Sequence, residues 1–286
     1  MDIPHTLTGN IQHHPGFASR ILRNERQVWV YLPAGYRRSL RRHYPVLYLH
    51  DGQNVFDAAT AFAGVEWGAD ETAQRLTRQR LIEPLIIVAV ANQGDDRIHE
   101  YAPTRAAIEV GAKRRKRSRG WLDRYGRFLI EELKPFIDRT YRTKPEAEFT
   151  GVGGSSLGGL ATLVLGLWFP HSFTRLAVMS PSIWWDDCVI YRIVDELEEK
   201  PNLKIWLDTG TNEPGWERAE VLRDRLIEKG WRLYDDLQYT EVKGGDHSEG
   251  AWAARFEAVL RFLYPPPPPG MKAPLPKPNL LTANIR

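Results

Sequence analysis

The chain has 286 residues, 42% hydrophobic and 26% charged, which suits one large soluble α/β domain and excludes a disulfide-stapled miniprotein or a disordered or fibrous chain. Thirty-nine basic against 36 acidic residues leave a net charge of +3, too small to imply a nucleic-acid partner by itself. Cys188 stands alone, which excludes an intramolecular disulfide and a cysteine-built zinc site; with no basic leader and no apolar run of membrane length, a cytoplasmic protein with no membrane partner is expected.

Residues 1–19 are read as a lead without an assigned element. Residues 26–32 (RQVWVYL) have strand composition, and residues 45–50 (PVLYLH) form a short apolar run that ends in Asp51, Gly52, Gln53 and Asn54. Residues 85–91 (LIIVAVA) are apolar throughout, the pattern of a strand covered on both faces in a parallel sheet. Residues 121–141 space Leu122, Tyr125, Leu129, Leu133, Phe136 and Ile137 by threes and fours, which predicts a helix. Further strands are expected at 148–152, 175–179, 203–207 and 237–242, with helices at 217–229 and 250–263. Strand and helix taking turns predicts a doubly wound, mostly parallel α/β sheet flanked by helices, in one domain over residues 20–264. Eight of the 20 prolines fall in residues 265–286, which are read as an extended polyproline tail, a strap or loose end rather than a ligand for a proline-binding module.

Residues 148–160 (EFTGVGGSSLGGL) run from a strand-like stretch through a glycine-crowded turn into a helix-compatible one. Within them Gly154, Ser156 and Gly158 fit G-x-S-x-G; Ser155 does not, because the pattern would need glycine at 157 and finds leucine. A nucleophile on such a turn is held in strained dihedrals, and small neighbours let strand and helix approach. A serine hydroxyl needs a base, and His247, in a loop between the last predicted strand and the last helix, is the candidate. His5, His13, His14, His43, His50 and His99 all precede the serine, His171 sits in a turn just after its helix, and in the order nucleophile, acid, base the base comes last. The acid should follow the penultimate strand, in residues 207–213 (LDTGTNE). Glu213, past the Gly210 turn, is preferred; Asp208, still at the strand end, is the alternative and otherwise structural. Oxyanion donors are expected from the Leu157 N–H and from the Asp51-Gly52-Gln53 loop, with the Gln53 N–H favoured and Gly52 allowing close approach.

Taken in order, YPVLYLHDGQNVFD, GGSSLGGL, SPSIWWDD, LDTGTNE and GGDH resemble the enterochelin esterase and esterase D group of α/β-hydrolases, which includes feruloyl esterases. The resemblance spans about residues 20–264 and implies the α/β-hydrolase fold and a serine carboxylic-ester hydrolase, with Ser156, Glu213 and His247 at the matching positions. In related feruloyl esterases the acid follows a Gly-Thr-Asn turn, as Glu213 does here, whereas some siderophore esterases of the group work with a Ser-His dyad.

Trp184 and Trp185 are read with equal weight as an aromatic cleft wall or as loop core. Arg97, Glu100 and Tyr101 follow a strand at the expected active face, where Arg97 could bind substrate or form an Arg-Glu brace. Residues 113–119 (KRRKRSR) hold six cations in seven positions, either a solvated loop or a rim that steers anionic substrates. The expected activity is hydrolysis of a small-molecule ester, acidic or aromatic like siderophore or hydroxycinnamoyl esters, by an enzyme that uses no metal or other cofactor and binds no nucleic acid. Acyl transfer to an alcohol by the same residues, and a non-catalytic binding protein built on a hydrolase fold, are the alternatives; peptidase activity is the weakest, with no lid domain in view.

Overall fold

The computed structural model describes residues 3–110 and 114–267. In chain order the strands are β1 (Asn10–Ser19), β2 (Asn24–Leu32), β3 (Val46–Leu49), β4 (Ile86–Val90), β5 (Ala107–Val110), β6 (Arg114–Arg117), β7 (Thr150–Ser155), β8 (Arg175–Met179), β9 (Lys204–Gly210) and β10 (Leu237–Val242). The helices are α1 (Ala69–Arg78), α2 (Arg97–Tyr101), α3 (Leu122–Arg127), α4 (Lys134–Thr140), α5 (Leu157–Trp168), α6 (Val189–Asp195), α7 (Arg218–Glu228) and α8 (Glu249–Leu263). Eight strands make one sheet in the order β1-β2-β4-β3-β7-β8-β9-β10, and β5 pairs with β6 in a separate hairpin. β2 runs antiparallel to β1 and β4, and all the other pairings of the large sheet are parallel.

Side chains alternate across a strand, so both faces of these strands must find cover. Val46 and Tyr48 of β3 join one core with Val88, Val152, Leu160 and Val164, beneath α2 to α7. Leu47 and Leu49 join a second core with Ile87, Trp206, Phe256 and Leu260, beneath α1 and α8. Burial on both sides is why the central strands read as unbroken apolar runs. Among the described residues no helix is long and apolar enough to cross a membrane.

Three elements depart from the sequence reading. The lead of residues 1–19 supplies β1, which pairs with β2 through a register shift between His14 and Phe17, where Pro15 and Gly16 interrupt the alternation. The helix expected over 121–141 runs without a break from Leu122 to Thr140, but a widened turn at Phe128–Leu133 separates the regular segments α3 and α4. Pro135, at the start of α4, has no N–H to give to the preceding turn. The hairpin β5-β6 had no sequence signal, and part of the basic run falls on it: Lys113 lies outside the described residues, and Arg117 and Arg119 are exposed. The polyproline tail beyond Pro267 likewise lies outside the described residues.

The loops at the carboxyl ends of β3, β4, β7, β8, β9 and β10 converge on one rim, the usual place for a ligand in an open parallel sheet. The β3 loop is pressed hard against the sheet. A Cβ on Gly52 would lie 2.4 Å from Val90 N and 2.5 Å from Ala89 C, both backbone atoms that no rotamer change can move. Replacing Gly52 by Ala should therefore cost about 2 kcal/mol, the usual scale of core overpacking. Urea unfolding would measure it, and an unchanged midpoint would show that the loop is free to lift off β4.

Candidate active site

Where β7 meets α5 the chain turns sharply, and Ser156 occupies the turn with φ 57° and ψ −123°, a conformation that L-residues rarely adopt. Its backbone is tied on both sides: Ser156 N donates to Met179 O (3.0 Å), and Ser156 O accepts from Ser182 N (2.9 Å) and Leu160 N (3.1 Å). The strain is thus held by β8 and its loop, and Oγ projects toward the rim.

His247 Nε2 lies 2.9 Å from Ser156 Oγ, and His247 Nδ1 lies 2.9 Å from Glu213 Oε2. Glu213 reaches the imidazole because the loops after β9 and β10 are stitched together. Asn212 N donates to Gly245 O (3.0 Å), Asn212 Nδ2 to Gly244 O (3.1 Å) and Gly244 N to Thr211 Oγ1 (2.9 Å). The other Glu213 oxygen, Oε1, accepts from Gly210 N (2.7 Å) and Ser180 Oγ (2.6 Å). Burial alone would raise the Glu213 carboxyl, but the hydrogen bonds from His247, Ser180 and Gly210 hold it below its ordinary value. Ser248 caps α8 beside the imidazole, its Oγ accepting from Ala251 N (3.3 Å), and His247 stands edge-on to Trp252 with centroids 4.9 Å apart.

The carboxylate of the alternative acid, Asp208, is engaged by groups other than His247. Fully buried, it accepts from Trp206 Nε1 (2.7 Å) and Ser180 N (3.1 Å). Burial pushes its carboxyl up to about 6, against the opposing charge of Arg255 and those hydrogen bonds. His50, whose ring packs against Gly154 and Gly158 of the serine turn, is also buried. Its Nδ1 meets the Tyr125 hydroxyl at 3.0 Å, and burial lowers its pKa to about 4, which keeps it neutral.

The Leu157 N–H opens α5, where no intrahelical acceptor exists for it. Gln53 and Ser156 line the same cleft, of about 350 Å³, together with Asp51, Asn54, Arg97 and Glu249. Gln53 is fixed there by its Oε1 accepting from Asn92 N (3.2 Å) and its carbonyl accepting from Thr60 Oγ1 (2.7 Å). Arg97 is at the cleft but its fork is spent on Asp51, with Nε to Oδ1 at 2.7 Å and Nη2 to Oδ2 at 2.8 Å. Burial would raise the Asp51 carboxyl; the Arg97 charge, with hydrogen bonds from Arg97 and Asn92, holds it below its ordinary value. The expected Arg97-Glu100 brace does not form: Glu100 pairs with buried Arg26, at 2.7 and 3.1 Å.

A second cleft, of about 530 Å³, opens on the other side of His247, walled by Ile183, Trp184, Pro214 and Trp216, with Arg218 among its lining residues. The paired tryptophans separate. Trp184 is 50% exposed and faces this cleft, whereas Trp185 is fully buried and donates from Nε1 to Thr104 Oγ1 (3.1 Å), so Trp185 is core and not a wall. Of the 113–119 run, the residues with described side chains, Arg117, Ser118 and Arg119, line neither cleft. Ser180 and Trp216 went unread in the sequence. Ser182, which opens the loop expected over the cleft, lines it and has its Oγ 3.4 Å from Ser156 Oγ.

A family model described as putative esterase matches residues 19–263. The chain is 26% identical over 216 residues to the ferri-bacillibactin esterase BesA of Bacillus subtilis (strain 168), covering 70% of this chain and 69% of that protein. It is 24% identical over 250 residues to the uncharacterized protein YbbA of the same organism, covering 84% of this chain and 92% of that one. The crystal structure of the enterobactin esterase FES from Shigella flexneri, in the presence of enterobactin, superposes with a TM-score of 0.72 at 22% identity, over 92% of this chain and 60% of that one. The doubly wound sheet is accordingly that of the α/β-hydrolase-type esterases.

Because the folded protein raises the Asp208 carboxyl from 3.8 to about 6, its folded state prefers the protonated acid, and this preference is lost as the pH climbs from about 4 to about 6. Denaturant unfolding across that interval should show the protein losing stability with rising pH relative to Asp208→Asn. Parallel curves for the two proteins would contradict the assignment of a raised carboxyl at Asp208.

Proposed function

The chain belongs to the putative esterase family and is an esterase, and from that premise we propose that it hydrolyses carboxylic esters through an acyl-enzyme on Ser156, with His247 as base and Glu213 as the acid behind it. The observation that carries the reading is the pair of 2.9 Å contacts on the two nitrogens of one imidazole. Glu213 can only accept when ionised, so His247 Nδ1 keeps its proton and Nε2 is left to receive one.

Ser156 Oγ attacks the ester carbonyl carbon as its proton passes to His247 Nε2. The carbonyl oxygen becomes an oxyanion, stabilised by the N–H groups of Leu157 and Gln53. Collapse breaks the bond to the alcohol oxygen, which takes the proton from His247 and leaves. Water then repeats the sequence on the acyl-enzyme: His247 takes its proton, hydroxide adds to the carbonyl, and Ser156 departs with that proton as the acid is released. The Glu213 carboxylate stabilises the imidazolium in both halves.

The substrate reading is an aromatic ester. Trp184 and Trp216 supply flat apolar surface beside His247, and Arg218 a cationic partner for an acidic substituent. Relatives are named as esterases of ferri-bacillibactin and enterobactin and, in one case, as a siderophore hydrolase, and the same cleft chemistry would serve siderophore or hydroxycinnamoyl esters.

Ser156→Ala should reduce p-nitrophenyl acetate turnover by roughly a factor of 10⁴ or more, and Glu213→Gln by about 10² to 10⁴, the range seen when a triad loses its nucleophile or its acid. Asp208→Asn should stay within about tenfold of wild type. Steady-state kinetics on the purified variants would decide; a Ser156→Ala protein that still turns over moves the nucleophile elsewhere. Trp184→Ala should raise KM for a methyl hydroxycinnamate about tenfold while leaving KM for the acetate nearly unchanged, given the energy of one aromatic contact. Equal changes on both esters would remove Trp184 from the substrate site.

A further inference from the structure

Three side chains meet at one hydroxyl behind the imidazole. Ser180, at the end of β8, is buried and held at φ 39°, and its Oγ lies 2.6 Å from Glu213 Oε1, 3.0 Å from Trp252 Nε1 and 3.0 Å from Arg255 Nη2. A hydroxyl has one proton to give and two lone pairs to fill. An indole N–H and a guanidinium can only donate, so Trp252 and Arg255 occupy both lone pairs, and the Ser180 proton is directed to Glu213 Oε1. Trp252 and Arg255 are three residues apart on α8 and therefore share a face. The same helix starts two residues after His247, so one rigid element sets both the base and the support of its acid.

Arg255 is an uncommon residue for this place. It is 6% exposed, its Nη1 lies 3.6 Å from Asp208 Oδ1 and its Nη2 3.9 Å from Glu213 Oε1, and its Nε and Nη1 are buried without a hydrogen-bond partner. A buried cation with unfilled donors costs stability, and apolar side chains of similar volume often serve a core as well or better. Packing alone does not account for it.

We propose that Arg255 is a positioning residue for the esterase reaction: by holding the Ser180 hydroxyl it orients Glu213, and through Glu213 it fixes which His247 nitrogen carries the proton and which accepts from Ser156. The proposal rests on the Ser156-His247-Glu213 reading above. With Ser180 O–H and Gly210 N–H both on Oε1, Oε2 is left to the imidazole. Without the Arg255 donor the Ser180 hydroxyl is free to turn, and Glu213 loses one of the hydrogen bonds that hold its carboxyl low. The ionisable groups facing this point are Glu213 and Asp208 from β9 and its loop, His247 from the loop before α8, and Arg255 itself; Glu249, in the first turn of α8, faces Asp51 and Arg97 on the other side of the imidazole.

The test uses the full chain carrying Arg255→Met, Ser180→Ala or both, with Ser156→Ala in parallel, and reads kcat, KM and the thermal midpoint on p-nitrophenyl acetate from pH 5 to pH 9. Arg255→Met is expected to lower kcat roughly tenfold with KM changed by no more than about twofold, the signature of support felt in the transition state. Its kcat/KM profile should lose activity at a higher pH on the acid side than wild type, because a more basic Glu213 carboxylate holds the proton on His247 more strongly. The double variant should be no slower than Ser180→Ala, since both residues act through one hydroxyl. A lowered thermal midpoint with unchanged kcat and acid limb, or losses that multiply in the double variant, would overturn the proposal. If Arg255→Met does not fold, Ser180→Ala decides: a wild-type kcat and acid limb in that variant overturns it. Turnover surviving in Ser156→Ala would instead overturn the triad reading, so the two failures are distinguishable.

Discussion

β9 and β10 pair in parallel with Thr209 opposite Glu241 and Gly210 opposite Val242, and the chemistry of the molecule depends on the two loops that leave from those ends. A slip of one residue would turn Thr209 and Gly210 to the opposite faces and carry Glu213 away from the imidazole. The register is held where the loops touch: a Cβ on Gly210 would stand 2.3 Å from Gly245 O, so only glycine allows the two backbones to lie so close. Glu213 and His247, 34 residues apart in sequence, meet because of that contact. Ser156 arrives from a third strand, 91 residues before His247, locked by its own bonds to β8 and the loop beyond it.

The two clefts beside this row differ in their side chains. On the Gln53 side most are polar, beside Phe62 and Trp252, with Arg97 bound to Asp51 and Asn54 Nδ2 donating to Glu249 Oε1 at 3.0 Å. Side chains held in this way have their dipoles fixed by their own partners. On the Trp184 side the surface is largely apolar and aromatic, suited to holding the bulk of an ester by contact area. Arg117 and Arg119, the cations of the 113–119 run whose side chains are described, are exposed and line neither cleft.

How much of this was legible in the sequence depends on the range of the interaction. Ser156 can be read because its turn needs glycines at fixed offsets, and His247 because chain order removes its competitors. Glu213 over Asp208 follows from the geometry of a turn: Asp208 is still in the strand, where its side chain goes to Trp206 and Ser180, while Glu213 has passed Gly210. Contacts between distant segments leave no such trace. Arg97 and Glu100, one helical turn apart, look like a pair, yet Arg97 goes to Asp51, 46 residues away, and Glu100 to Arg26, 74 residues away. Trp184 and Trp185 are adjacent letters on opposite sides of the loop backbone, one to the cleft and one to Thr104. β1 owes its existence to pairing with β2, since Pro15, Gly16 and two histidines give it no strand signature of its own.

If Ser156 is the nucleophile, an acyl group passes through its Oγ. Rapid quenching of the full chain during turnover of a slowly hydrolysed aromatic ester, followed by peptide mass spectrometry, measures it directly. An acyl mass addition confined to the peptide bearing Ser156 is expected. Turnover with no trapped acyl group, or an acyl group on any other residue, would contradict it.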